Sequence, residues 1–210
     1  PPTYAGDSCY FQAVNRNKRS IALDLTDPDD RATLYRLVED ADIVTESFRT
    51  GVTQRLGVDY ETLRAINPRL LYLSVSGYGR EGSRATWPAY DIVMQADAGL
   101  MSMTGTEDGE VVKIGPSIAD ISTGMYSSIG LLTALYHRER TGQGQYLDVA
   151  MFDAQFGVMN NWALSVLGTG EAPRPMGVGN PALSPYQTIA TADGDYMLGC
   201  GNDGHWRRFC

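Results

Sequence analysis

The feature that most constrains the fold is an alternation of short apolar segments with short helices before residue 77. Three segments have the character of strands: 20–25 (SIALDL), 42–46 (DIVTE) and 70–76 (LLYLSVS). Asp27-Pro28 predicts the start of a helix after the first segment, and Asp59 predicts a second helix before the third. Parallel strands need such crossovers because both strands run in the same direction. The pattern therefore predicts βαβ units and an α/β fold with a parallel sheet.

The clearest helix signal follows at residues 117–145. Its apolar residues recur at intervals of three and four, which places them on one stripe of an α-helix. They are Ile121, Met125, Ile129, Leu132 and Leu135. Asp120 stands where an N-cap belongs. The last turn carries cations, which suit the carbonyl end of a helix, and then a glycine-containing stop. These residues are His137, Arg138, Arg140 and the segment 141–144 (TGQG).

Asp120 has two interpretations that the local pattern leaves open. As a structural N-cap it would stabilise the helix by about 1 kcal/mol. As a nucleophile it would be a carboxylate at the lip of a pocket, oriented by backbone N–H groups. The helix end would hold the carboxylate ionised but also lower its basicity, so desolvation would be needed to keep it reactive.

Composition excludes several classes of function. The net charge of −8 argues against non-specific nucleic-acid binding. Cys9, Cys200 and Cys210 have no metal-binding spacing, and with only two histidines a metal site is not expected. An odd number of cysteines favours free thiols in a reducing compartment. No apolar run reaches about 18 residues, so we expect no membrane span and a soluble, cytoplasmic protein.

Phosphate-binding motifs are absent, but basic residues are not. The chain has no P-loop, no GxGxxG after a strand and no GxSxG. Cations do occur in loops beside the predicted strands, namely Arg16, Lys18, Arg19, Arg49, Arg55, Arg80 and Arg84. They could hold a phosphorylated cofactor or could be ordinary surface charge. The glycine- and arginine-rich loop 77–88 is a candidate ligand loop because it follows a parallel strand. Asp91 and Asp120 could form a carboxylate pair.

The remaining chain predicts a helix at 90–101, a strand at 145–150 and one apolar helix at 151–167. Glycine and proline dominate from 168 to 185, and a hairpin is expected at 186–200. We therefore expect a Rossmann-like large domain at 1–167 and, at 168–210, a linker and the start of a smaller α+β domain. The abrupt ends suggest a fragment of a longer subunit.

Several motifs in this order resemble the family III CoA-transferases (CaiB/BaiF type), a group that includes formyl-CoA and carnitine CoA-transferases. The matching segments are 17–25 (NKRSIALDL), 42–51 (DIVTESFRTG), 67–70 (NPRL), 74–79 (SVSGYG), 89–91 (AYD), 120–124 (DISTG), 140–145 (RTGQGQ) and 201–203 (GND). The resemblance spans nearly the whole chain. Family members have about twice its length.

The resemblance implies that Asp120 is the catalytic nucleophile. It also implies that acyl-CoA is a substrate, that no cofactor is permanently bound, and that a carboxylic acid receives the CoA. Water has to be excluded because it would hydrolyse the aspartyl anhydride or the aspartyl-CoA thioester. The family's glycine-rich loop at the oxyanion is not found here and is expected beyond Cys210. An interlocked homodimer is also implied.

The family's CoA contacts carry over by position. Near the adenosine the resemblance places Leu23, Asp24, Leu25 and Thr26. Ser47, Phe48 and Arg49 would line the same pocket, with Arg55 on phosphate. Near the pantetheine and the reacting centre it places Pro88, Ala89, Tyr90 and Asp91. Many members have Asn at the position of Ser47, which puts that contact in doubt.

Two rival functions stay open. The related α-methylacyl-CoA racemases carry His as a base where Tyr90 stands, and Tyr, with an ordinary pKa of about 10, is a weak base at neutral pH. The second rival is a CoA-binding module without catalysis. The identities of the acyl donor and the acceptor acid are not readable from the sequence.

Overall fold

The chain begins with a small antiparallel strand pair and then alternates helices with parallel strands. The computed structural model describes residues 2–210. Its elements are β1 (Thr3–Tyr4), β2 (Asp7–Ser8), α1 (Cys9–Asn15), α2 (Pro28–Glu39), β3 (Ile43–Glu46), α3 (Val52–Leu56), α4 (Tyr60–Ile66), β4 (Leu71–Ser76), α5 (Asp91–Asp97), a 3₁₀ turn (Leu100–Met103), α6 (Ile118–Thr141), β5 (Gln145–Ala150), α7 (Met151–Val158), α8 (Asn161–Thr169), β6 (Tyr186–Thr191), β7 (Gly194–Gly199) and α9 (Asp203–Phe209).

The central sheet contains three parallel strands in the order β3-β4-β5. Leu71 of β4 pairs with Ile43 of β3 and with Gln145 of β5, which sets the register. The first four residues of β4 are buried, as its continuous apolar run predicts for a strand covered on both faces. The α/β fold with a parallel sheet is therefore confirmed, as are the strands predicted at 42–46, 70–76 and 145–150.

The strand predicted at 20–25 is wrong. Residues 18–24 form no ladder with any other described residue. Asp24 instead closes a turn, because its Oδ1 accepts hydrogen bonds from the backbone N and the hydroxyl of Thr26, at 2.9 and 2.7 Å. The backbone N of Asp24 donates to Asp30 at 2.7 Å. An alternating pattern describes which side each residue faces, whereas a strand also needs a neighbour to pair with.

Two apolar clusters hold the helices in place. The first joins α2, α4 and β4 through Val38, Leu63, Leu70 and Tyr72, all at most 2% exposed. The second joins α5 and the 3₁₀ turn to α7 and α8 through Ala98, Leu100, Met159 and Ala163. The first cluster fixes the sheet, and the second fixes the start of α6, since Ile118 packs against it.

Helix α6 begins earlier than its sequence pattern indicates. Ser117 holds the N-cap position without a capping side-chain bond, and Asp120 is the third residue of the first turn. The prediction that Asp120 is the N-cap is therefore wrong. At the other end, Gly142 adopts the left-handed conformation with φ of 76°, so the glycine stop is confirmed, although the helix ends at Thr141.

The periodic apolar stripe of α6 faces outward in the structure. Ile121 and Leu132 are 48% and 66% exposed, and Met125 and Ile129 are exposed with them. The buried residues on α6 are Ala119, Ser122, Thr123, Ser127, Ala134 and Arg138. Apart from Arg138 these side chains are small, so the helix can approach the sheet closely and pack at high density.

The apolar segment 151–167 forms two helices instead of one. The break falls at Asn160, whose φ of 48° is incompatible with a continuing α-helix. The hairpin near 186–200 is confirmed as β6 and β7, with Tyr186 opposite Gly199. The division into domains at residue 168 stays a prediction.

Candidate active site

The carboxyl ends of the three parallel strands meet at one edge of the sheet, where α/β proteins bind ligands. Ser47 and Phe48 come directly after β3, Gly77 after β4, and Met151 after β5. A cavity of about 340 Å³ opens between these strand ends and the loop that follows β4. Its wall is Ser47, Phe48, Arg49, Thr50, Val75, Ser76, Gly77, Arg80, Ala85, Thr86, Trp87, Pro88, Ala89, Tyr90 and Met151.

Asp120 lies on a second cavity that adjoins the first. This cavity has a volume of about 450 Å³ and runs between β3, β4 and α6. Three residues, Ser47, Val75 and Met151, line both cavities. A ligand that fills the first cavity can therefore bring a reactive group towards Asp120 without crossing the protein interior.

Asp91 supplies the side-chain cap that α6 lacks. Its Oδ1 accepts hydrogen bonds from the backbone N of Ala119 at 2.8 Å and of Asp120 at 3.4 Å. Partial burial of the Asp120 carboxylate, and then the charge of Asp91, raise the pKa of Asp120 above its ordinary value. A higher pKa means a more basic oxygen. Desolvation therefore outweighs the acidifying effect expected from the helix end.

Arg80 stabilises the cavity wall through its hydrogen bonds and is not a free cation. Its guanidinium donates to Glu46 at 2.8 Å, to Ser74 at 2.7 Å and to the carbonyl oxygens of Phe48 and Val75 at 2.6 and 3.0 Å. Glu46 also accepts from the Ser74 hydroxyl and from the backbone N of Phe48. These contacts tie the loop after β3 to the loop after β4.

Arg84 is likewise engaged within the protein. It donates to Asp97 at 2.9 Å, and its guanidinium lies over the Trp87 ring, 4.8 Å from the centroid. The hydroxyl of Tyr78 donates to the same carboxylate at 2.7 Å. Both arginines therefore use their charge to fix the loop, and the hypothesis that they hold phosphate stays a prediction. Arg49 takes part in no ion pair among residues 2–210.

The sequence-predicted CoA contacts separate into two groups. The first cavity is lined by Ser47, Phe48, Arg49, Pro88, Ala89 and Tyr90. Asp91 does not line it and instead accepts hydrogen bonds from the first turn of α6. Leu23, Asp24, Leu25, Thr26 and Arg55 do not line either cavity. Residues 23–26 nevertheless lie near the end of α3, because the Arg31 side chain is close to both. It donates to the Leu25 carbonyl at 3.3 Å, and a Cβ at Gly57, which follows α3, would lie 3.6 Å from Arg31 Cδ.

Sequence reasoning missed several residues of the site. Val75 and Met151 join the two cavities, and Thr123 and Ser127 form the α6 wall. Gln95, a turn after Asp91, bonds the other oxygen of that carboxylate. The available signal for Met151 was its place directly after a predicted strand. For Gln95 it was the four-residue spacing from Asp91 on one predicted helix.

Within residues 2–210, no group of three or more His, Cys, Asp and Glu side chains is placed to hold a metal ion. None of the described helices combines the length and apolar character needed to cross a membrane.

The fold and site together define a class: an α/β protein with a carboxylate in the first turn of a helix, facing cavities at the carboxyl edge of a parallel sheet. The family model for CoA-transferase family III matches residues 1–210. The chain belongs to this family.

Similar proteins support the same assignment. Succinate–glutarate CoA-transferase of Agrobacterium fabrum is 43% identical over 97% of this chain and 51% of its own length. Acetyl-CoA:oxalate CoA-transferase of Acetobacter aceti is 42% identical over 99% of this chain and 54% of its own. The crystal structure of a CaiB/BaiF family protein from Brucella suis superposes with a TM-score of 0.88 at 43% identity, covering 98% of this chain and 55% of that one. The chain thus spans about half the length of the curated relatives it matches.

Proposed function

We propose that the protein is a CoA-transferase that moves CoA from an acyl-CoA thioester to a carboxylic acid, with Asp120 as the nucleophile. The observation that carries the proposal is the position of Asp120: an accessible carboxylate on a cavity that adjoins the one lined by the predicted CoA contacts. The raised pKa of Asp120 supports it, because greater basicity favours attack on a carbonyl carbon.

The chemistry proceeds through two covalent states of Asp120. A carboxylate oxygen of Asp120 attacks the thioester carbonyl, the C–S bond breaks, and CoA thiolate leaves a mixed anhydride. The thiolate attacks the aspartyl carbonyl, which releases the donor acid and forms an aspartyl-CoA thioester. The acceptor carboxylate then runs these two steps in reverse, regenerating Asp120 and a new acyl-CoA. The CoA thiolate, whose thiol has an ordinary pKa of about 8.5, leaves in the first and third steps, and a carboxylate leaves in the second and fourth.

CoA would enter through the first cavity. Arg49 suits a CoA phosphate because it lines that cavity and has no ion-pair partner among the described residues. Ser47, Phe48 and residues 88–90 would line the path of the pantetheine arm towards Asp120. Residues 23–26 and Arg55 would contact the adenosine end from outside this cavity.

The acid partner and the assembly are proposed at a coarser level. One relative is named for succinate and glutarate and another for oxalate, so short dicarboxylic acids are the class to test first. We also propose that the natural protein is a homodimer, as its family resemblance implies. Light scattering on the natural polypeptide gives the number of subunits directly.

The deciding experiment is to trap the covalent states. The natural polypeptide is mixed with an acyl-CoA and quenched with hydroxylamine or borohydride, and the peptide containing Asp120 is examined by mass spectrometry. Hydroxylamine converts an activated Asp120 to a hydroxamate and borohydride reduces it to an alcohol. Either mass change on wild type, dependent on the acyl-CoA and absent from Asp120→Ala, supports the proposal. CoA binding without any adduct or turnover would leave a binding module. Exchange of the substrate α-hydrogen for deuterium without transfer would favour a racemase.

A further inference from the structure

Helix α5 carries a buried amide that the reaction scheme above does not use. Gln95 is 0% exposed, and both ends of its amide are bonded. Its Nε2 donates to Asp91 Oδ2 at 2.7 Å, and its Oε1 accepts from the backbone N of Ile114 at 2.9 Å. Gln155 on α7 is equally buried, yet neither of its amide atoms has a hydrogen-bond partner among the described residues. Burial of a glutamine in this fold therefore does not by itself produce such bonds.

The bonds made by Gln95 reach Asp120 through one intermediate residue. The two oxygens of Asp91 accept from different donors: Oδ2 accepts from Gln95, and Oδ1 accepts from the backbone N of Ala119 and Asp120. Because the two oxygens belong to one rigid carboxylate, the bond from Gln95 fixes the direction in which Oδ1 points. The donor is also neutral, so Gln95 adds no charge beside Asp91, whose charge contributes to the raised pKa of Asp120.

The first turn of α6 depends on this external support. Ser117 makes no side-chain cap bond, so Asp91 is the side chain that satisfies N–H groups of that turn. The orphan N–H groups at the start of a helix need such acceptors. A shift of about 1 Å at a reacting group can slow a reaction about 100-fold. The orientation of Asp91 therefore bears directly on where the Asp120 carboxylate meets a bound thioester.

We propose that Gln95 is a positioning residue for CoA transfer: its amide aligns Asp91, which in turn holds the first turn of α6 and so places the Asp120 carboxylate. Gln95 lines neither cavity, so it acts without touching substrate. The inference rests on the proposed function, since it requires Asp120 to be the nucleophile.

The test compares two variants of Gln95 with a matched control, all in the natural polypeptide. Gln95→Met removes both hydrogen bonds at nearly constant volume, and Gln155→Met makes the same exchange at an equally buried glutamine without partners. The rate of adduct formation on Asp120 is measured by mass spectrometry in a single turnover, and CoA affinity by calorimetry. For Gln95→Met we expect adduct formation to slow by about tenfold or more, because a hydrogen bond to a charged group is lost. CoA affinity should stay within about twofold. Gln155→Met should change neither quantity.

Gln95→Glu separates alignment of Asp91 from support of Ile114. A neutral carboxyl group donates to Asp91 and accepts from Ile114 as the amide does, whereas an ionised one keeps only the acceptor role and repels Asp91. The adduct rate relative to wild type should therefore fall as the pH rises from about 5 to about 8. The carboxyl group introduced at position 95 and Asp91 would titrate as one coupled pair, so the ratio reports that pair, while Asp120 is present in both proteins. A ratio that stays flat with pH would mean that Gln95 serves only the Ile114 loop, which overturns the inference.

The outcomes also distinguish the inference from the function on which it rests. If the adduct on Asp120 forms in Gln95→Met at the wild-type rate, the positioning role is overturned and the proposed transferase function is retained. If wild type forms no adduct on Asp120, both proposals fall. If Gln95→Met loses CoA affinity as strongly as rate, Gln95 supports the fold in general, and the positioning role is again overturned. A variant that fails to fold leaves the pH ratio of Gln95→Glu to decide.

Discussion

Replacing Arg80 by methionine should destabilise the protein more than any exposed charge substitution, because it leaves a carboxylate buried without its partner. The side chains of Arg80 and Glu46 are 15% and 6% exposed, and their ion pair is 2.8 Å long. Three further hydrogen bonds from the guanidinium disappear with it. Breaking one partner of a buried pair costs about 3–5 kcal/mol. We expect Arg80→Met to lower the free energy of unfolding by that amount.

The assay is urea denaturation followed by intrinsic fluorescence, with the slope against urea checked for constancy. Arg84→Met is the matched control, since the Arg84–Asp97 pair is 46% and 37% exposed and such pairs contribute about 0–1 kcal/mol. Adding Glu46→Gln to Arg80→Met should recover part of the loss by removing the unpaired charge. CoA affinity should fall with Arg80→Met, because the hydrogen bonds of Arg80 hold the loop that carries Phe48 and Arg49.

Two results would refute this reasoning. A loss below about 1 kcal/mol would mean that Glu46 finds water or another partner once Arg80 is gone. An equal loss from Arg84→Met would mean that burial does not distinguish the two arginines.

Three further changes test other parts of the structure. Asp120→Asn should abolish transfer yet raise the free energy of unfolding at pH 7 by less than ~1 kcal/mol, because the group is exposed. The fold raises the pKa of Asp120 above 3.8, so this gain appears as the pH rises from 3.8 through the folded pKa and vanishes below 3.8; a wild type more stable than the variant at pH 7 would contradict the sign. Gly77→Ala should weaken CoA binding and lower the free energy of unfolding by about 1–3 kcal/mol, because the new methyl would lie 2.3 Å from the Ala89 side chain. Adding Ala89→Gly should restore the CoA affinity measured by calorimetry, and unchanged affinity in Gly77→Ala alone would mean that the cavity wall tolerates the overlap. Tyr72→Phe should cost about 1 kcal/mol in urea unfolding by leaving the Val58 carbonyl without its 2.9 Å bond, with turnover unchanged, and a change in turnover would place this bond in the site.

Segments with strong local signals were predictable from sequence. The run 70–76 could be recognised as a buried strand because its residues are apolar on both faces, and Asp27, Asp59 and Gly142 mark helix ends through their own backbone and side-chain geometry. The role of Asp120 could be proposed because the resemblance singles out its motif. The strand expected at 20–25 failed because pairing depends on a neighbour that local alternation does not reveal.

The amino-acid sequence by itself determined most of the order of the elements and, through the alternation of strands and helices, the parallel arrangement, because strand character and helix ends depend on interactions within a few residues. The candidate nucleophile came from the resemblance to the family and not from its local pattern. Tertiary structure alone decided which face of α6 is buried, that Asp91 caps a turn 29 residues further on, and that Arg80 joins Glu46 across 34 residues. A carboxylate acquires its acid strength, and an arginine its role, from groups brought close by folding. Spacing along the chain does not carry that information.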